Sequence, residues 1–141
     1  MSKIETMRVW DKDVVSDLSV LVGRTMATVT ATHDELHMAG EDGTLVRLYH
    51  DQDCCESVQI EDIAGDLADL AGTPLLMAEE VVSDDEPKKG EYDESWTWTF
   101  YKFGTAKGYV TVRWYGTSNG YYGEGVDVAI ALPVPEGGKN E

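Results

Sequence analysis

The sequence predicts an α+β domain of about seven mostly antiparallel strands with one main helix packed on the sheet, and three observations carry that expectation. Runs rich in valine, threonine and aromatic residues fall into two groups, residues 25–50 and 95–132, each cut by short polar or glycine-bearing turns. Between the groups, apolar residues recur at Ile60, Ile63, Ala64, Leu67, Leu70 and Ala71, the spacing of one helix face, with Glu61, Asp62, Asp66 and Asp69 outside it. Gly72 and Pro74 follow as a stop signal, because glycine accepts a left-handed cap and proline cannot continue a helix.

Taken in order, "DVVSDLSVLV" over 13–22 is apolar at Val14, Leu18 and Leu21 and reads as a short helix closed by Gly23. "TMATVTAT" alternates in the manner of a half-buried strand, and "ELHMA" and "TLVRLYH" follow across turns at 32–34 and 40–43, giving a three-strand meander. Residues 51–59 are too few for a separate element and form the link into the main helix. "PLLMAEEVV" reads as a strand, and the charged residues 83–94 as a mobile acidic loop. "SWTWTFYKF", "YVTVRWY" and "YYGEGVDVAIAL" then form three antiparallel strands separated by turns at 104–108 and 116–120. The tail 133–141 has little to bury and is expected to fray.

A chain of 141 residues suits a single domain, 1–141 with a core over about 13–132, able to bury about two-thirds of the surface its unfolded form exposes. Hydrophobic residues at 42%, with four Trp and seven Tyr, supply the apolar area that offsets ordering entropy. No stretch approaches the roughly 18 apolar residues of a membrane span, and the N-terminus lacks the apolar core of a signal peptide, so the expectation is a cytoplasmic protein with no membrane partner. Cys54 and Cys55 are neighbours that close almost no loop, which favours two reduced thiols.

The formal charge of −16 is uneven: −3 over residues 1–50, −13 over 51–94 and zero over 95–141. An acidic field of this size repels phosphate backbones and anionic membranes, which disfavours direct nucleic-acid binding and favours a basic protein partner. The acidic third has two readings: it keeps a small protein soluble, or it imitates the phosphate spacing of DNA.

Two blocks, "YHDQDCCESVQIEDIAGDLADLAGTPLLMAEE" and "WTFYKFGTAKGYVTVRWYGTSNGYYGEGVDV", together resemble a family of small proteins encoded by phages and prophages and classed as a domain of unknown function, over roughly residues 23–128. The resemblance implies a phage accessory protein in the cytoplasm of a bacterial host. It assigns no catalytic residue to any position here.

Two clusters carry candidate chemistry. His50, Cys54 and Cys55, with Asp53 as a further donor, are the types that hold zinc. Adjacent residues on extended backbone point opposite ways, so both cysteines ligate together only through a tight bend, and the alternative is cysteines packed as small hydrophobes. A cysteine nucleophile beside His50 is opposed by the surrounding acids, which raise a thiol's pKa. In the second cluster, Tyr109, Arg113 and Tyr115 share one strand face, with Asn119 and Tyr121 beyond, and are able to hold an anionic or planar ligand through a forked donor and stacking. Alternatively Arg113 pairs with an acid such as Glu124 or Asp127. No glycine-rich phosphate loop, nucleophile elbow or paired-histidine motif occurs. The functional expectation is therefore a non-enzymatic acidic binding module that needs no cofactor and engages a host or anti-phage defence protein. The alternative is a small metal- or anion-binding domain or enzyme centred on His50, Cys54, Cys55 and Arg113.

Overall fold

Side chains on a strand alternate between two faces, so each apolar-polar run has one face to bury, and two sheets that bury those faces against each other make a sandwich. A computed structural model describes residues 14–52, 55–83, 87–120 and 123–133. Among them nine strands occur: β1 (Val14–Val15), β2 (Met26–Ala31), β3 (Leu36–Gly40), β4 (Leu45–Tyr49), β5 (Ser57–Ala64), β6 (Met77–Ser83), β7 (Ser95–Thr105), β8 (Gly108–Ser118) and β9 (Asp127–Ala131). One sheet has the order β1-β9-β4-β3-β2 and the other β5-β8-β7-β6, and every pairing is antiparallel.

One hydrophobic cluster joins the sheets. Met26, Leu36, Met38, Val46, Leu48 and Ile130 come from the five-stranded sheet. Tyr101, Phe103, Val110, Val112 and Trp114 come from the four-stranded one, and Trp114 and Tyr101 are the largest fully buried side chains. The meander expected from residues 25–50 is present as β2, β3 and β4, in register from Leu36 opposite Leu48 to Ala39 opposite Leu45.

The α+β expectation is corrected: the chain is nearly all sheet, and its helical elements among the described residues are two 3-10 turns, Leu18–Leu21 and Leu67–Leu70. The main helix placed at 60–71 is instead the second half of β5 followed by one such turn. The helical spacing has a different cause. A β-bulge between Ile60 and Asp62 adds a residue to β5 and shifts its phase, so Ile63 returns to the side that Ile60 occupies, and both pack against the core. Gly65 then forbids a helix outright, since its φ is +114° where a helix needs about −63°. Asp66 is a true cap, accepting from the Ala68 N–H at 3.0 Å, but it opens a turn of four residues that buries Leu70. The short helix expected over 13–22 is likewise β1 and a 3-10 turn, capped by Asp17 at the Ser19 N–H.

The final strand also lies elsewhere than expected. β7 and β8 form the long hairpin, but β8 has β5 on its other side and no edge left to offer. β9 therefore crosses to the five-stranded sheet and pairs between β1 and β4.

Candidate functional site

Because Val110, Val112 and Trp114 face the core, period two turns Tyr109, Thr111, Arg113, Tyr115 and Thr117 to the outer face of the four-stranded sheet. Register with β7 sets Trp98 opposite Tyr115 and Phe100 opposite Arg113, while β5 sets Gln59 and Asp62 on the other side of the same two residues. The Trp98 and Tyr115 rings lie 4.4 Å apart, and the Arg113 guanidinium sits 5.1 Å from the Trp98 ring centre. This is a cation on an indole face. Arg113 Nε is buried and has no hydrogen-bond partner.

The acids considered as partners for Arg113 are occupied elsewhere. Glu124 accepts from the Thr97 hydroxyl at 2.8 Å and the Ser118 hydroxyl at 2.6 Å, and Asp127 accepts from the Asp51 N–H at 2.9 Å. Among the described residues no ion pair reaches Arg113.

Residues 87–93 fold over this face. The Pro87 carbonyl accepts from the Trp98 indole N–H at 3.0 Å, and the Lys89 N–H donates to the Tyr115 hydroxyl at 2.7 Å. That hydroxyl donates in turn to Asp93 at 2.5 Å, whose carboxylate also accepts from the Gly90 N–H. Burial and the neighbouring carboxylate push the Tyr115 phenol up, while the phenol and the Gly90 N–H hold Asp93 below the usual carboxylate range. Lys89 and Glu61, ion-paired at 2.7 Å, line a groove of about 350 Å³ together with Ser57, Gln59 and Tyr115.

Of the sequence candidates, Arg113 and Tyr115 come together around Trp98. Tyr109 does not join them: it lies four residues along the strand, about 13 Å away at ~3.3 Å per residue, and its ring covers Gly104 while the residue stays 67% exposed. Asn119 is exposed beyond the end of β8, and Tyr121 lies outside the described residues. Trp98 was missed. Its signal was the alternation Trp96, Trp98, Phe100, an aromatic series on the face opposite Tyr101 and Phe103.

The metal candidates are arranged differently. His50 directs Nδ1 at the Gly125 carbonyl and Nε2 at the Glu56 carboxylate, both at 2.7 Å. Both partners only accept, so a ring carrying both protons satisfies them together. Burial opposes that charge, but Glu56 and Gly125 outweigh it and raise the His50 pKa. The Glu56 side chain has no exposed surface and that of His50 only 8%. Cys55 is exposed just ahead of β5, and Asp53 and Cys54 lie outside the described residues. No group of three or more metal-ligating side chains occurs among the described residues.

A third cluster, on the outer face of the five-stranded sheet, was not singled out from the sequence. Arg47 donates to both Glu35 oxygens, at 3.2 and 2.9 Å, and stacks 3.9 Å over Tyr49, while His37 lies 2.7 Å from the same carboxylate. Burial works against charge on Glu35, yet Arg47 and His37 prevail and hold it below the usual range.

In comparison with known proteins, a family model described as a domain of unknown function, DUF7448, matches residues 19–128. No curated protein and no solved structure matches the chain.

Proposed function

We propose, for a chain that belongs to the domain-of-unknown-function family DUF7448, a non-enzymatic binding module that engages a basic protein through the acidic margins of its four-stranded sheet. The observation that carries this reading is where the charge lies. Residues 51–94, which hold 15 acids against two lysines, form β5, β6 and the segments around them, and β5 and β6 are the two outermost strands of one sheet. Among the described residues, the acids of this stretch that form ion pairs are Glu56 and Glu61. Of the other carboxylates among the described residues, those of Asp51, Asp62, Asp66, Glu79, Glu80, Glu91 and Glu94 belong to exposed residues, and such a field steers and holds a cationic surface. In biological terms the module is a phage accessory protein acting in the host cytoplasm on a host or defence protein.

Affinity capture from bacterial lysate at low and high salt tests it. The expected result is a basic partner retained at low salt and released as ionic strength rises. A variant with Glu61, Asp62, Glu79 and Glu80 replaced by glutamine or asparagine keeps its fold and loses the partner. No partner at either salt, or capture unaffected by the variant, overturns the reading.

A second reading is favoured by one observation: Arg113, stacked on Trp98 with a partnerless Nε, holds an anionic or planar ligand on the outer sheet face.

A further inference from the structure

A sheet edge presents unpaired N–H and C=O groups to any extended chain, so folds shorten, bulge, charge or cover their edges. Among the described residues the two sheets have four edges, and three of them are blunted. β1 is two residues long. β2 has a register break between Met26 and Thr28. β5 has its bulge between Ile60 and Asp62, and its Ile60 N–H donates to the His33 carbonyl at 2.7 Å.

β6 differs. Its seven residues pair with β7 in unbroken register from Met77 opposite Gly104 to Ser83 opposite Trp98, and its other side is the end of the sheet. It contains no proline, lysine or bulge. Val81 and Val82 are 41% and 60% exposed, on opposite faces of the strand. The device left is charge, in Glu79 and Glu80.

Charge discriminates between visitors where a bulge would exclude all of them. A second copy of the chain brings the same two glutamates and another net charge of −16, so like charges oppose self-pairing. A basic strand meets the opposite condition. Beside the edge, between β6 and the 3-10 turn Leu18–Leu21, lies a groove of about 240 Å³ lined by Asp17, Ser19, Glu80 and Val128. Both of its carboxylates are held in place, Asp17 by the Ser19 N–H and hydroxyl and Glu80 by the Tyr101 hydroxyl at 2.5 Å.

From this arrangement we infer that β6 is a docking edge for an extended, basic segment of a partner protein, which adds as a fifth strand to the four-stranded sheet. Its backbone pairs along Glu79–Ser83, its apolar residues cover Val81 on one face, and on the other face, which Glu80 and Val82 share, a lysine or arginine enters the groove between Asp17 and Glu80. The inference rests on the basic-partner reading and specifies where and how that partner binds.

The probe is a ten-residue peptide alternating lysine with valine and threonine, compared with the same peptide N-methylated at alternate residues. N-methylation removes backbone donors and leaves the charge unchanged. Binding is followed by fluorescence anisotropy and amide hydrogen exchange on the full chain. The expected results are slowed exchange along β6, at least tenfold weaker binding of the methylated peptide, and at least tenfold weaker binding to a Val81→Lys/Val82→Lys variant whose melting temperature matches the parent. Equal binding of the two peptides, or protection elsewhere, overturns strand addition and leaves a salt-sensitive lysate partner, if captured, unexplained by this edge alone. No binding of either peptide overturns it too, and lysate capture then decides the broader reading separately. Sedimentation of the chain alone as a dimer that the lysine variant dissolves also overturns the inference, because the occupant is then a second copy.

Discussion

Replacing His50 with alanine removes a cation that two acceptors share, the Glu56 carboxylate and the Gly125 carbonyl, each at 2.7 Å. Glu56 is then left without that cation in a position where its side chain has no exposed surface. Removing one member of a buried pair costs about 3–5 kcal/mol. The lower end is expected here, because the 8% exposure of the His50 side chain places the pair near the rim, where water enters the space the ring leaves. With a urea dependence of about 2 kcal/mol per molar, a loss of ~3 kcal/mol lowers the urea midpoint by about 1.5 M. Tryptophan fluorescence in urea at pH 6 and pH 9 measures it. The pH series carries a second expectation with a definite sign. The folded pKa of His50 lies above its ordinary 6.5, so the imidazolium contribution is fully present below that value and is lost as pH rises through the folded pKa. The parent should therefore weaken toward pH 9, and Glu56→Gln should flatten that decline. A His50→Ala midpoint equal to the parent's, or an undiminished slope in Glu56→Gln, would refute the reasoning.

Gly65→Ala faces two independent obstacles: a φ of +114° and an added Cβ 2.5 Å from the Tyr109 carbonyl oxygen. A loss of at least ~2 kcal/mol, about 4–8 °C in melting temperature for a domain of this size, is expected by calorimetry, and an unchanged melting temperature contradicts the backbone account. Arg113→Met removes a buried donor that has no partner, so stability should hold or rise by up to about 1 kcal/mol. In a thermal-shift screen of phosphates, carboxylates and planar heterocycles, any compound that stabilises the parent should lose its effect on this variant; a destabilised variant would instead show that stacking on Trp98 holds the sheet together.

Some of this molecule was legible in the chain. Alternation identified β2 and β8, and the polar turns at 32–34 and 40–43 set off β3 and β4; in β8 alternation separated Val110, Val112 and Trp114 from Arg113 and Tyr115 correctly, because period two is a local property of extended backbone. The concentration of acids in residues 51–94 was equally plain. Where they lie in space was not, since β5 and β6 are outermost strands only by virtue of sheet order.

The helix at 60–71 failed for a specific reason. An i, i+3 step between Ile60 and Ile63 is produced both by a helical turn and by a bulged strand, and the sequence period does not separate them. Gly65 is the local clue to the break, and it lies among six apolar residues in apparent helical phase.

Alternation, turn residues and charge segregation were thus determined by the sequence itself, because each depends on neighbours a few bonds apart. Tertiary structure decided that β9 leaves β8 for the other sheet, that Trp98 and not Tyr109 accompanies Arg113, and that His50 meets Gly125 from 75 positions away. Contacts of that kind leave no period in the chain: they exist only once strand order has placed distant backbone side by side, and strand order is set by which edges remain free as the sheets fill.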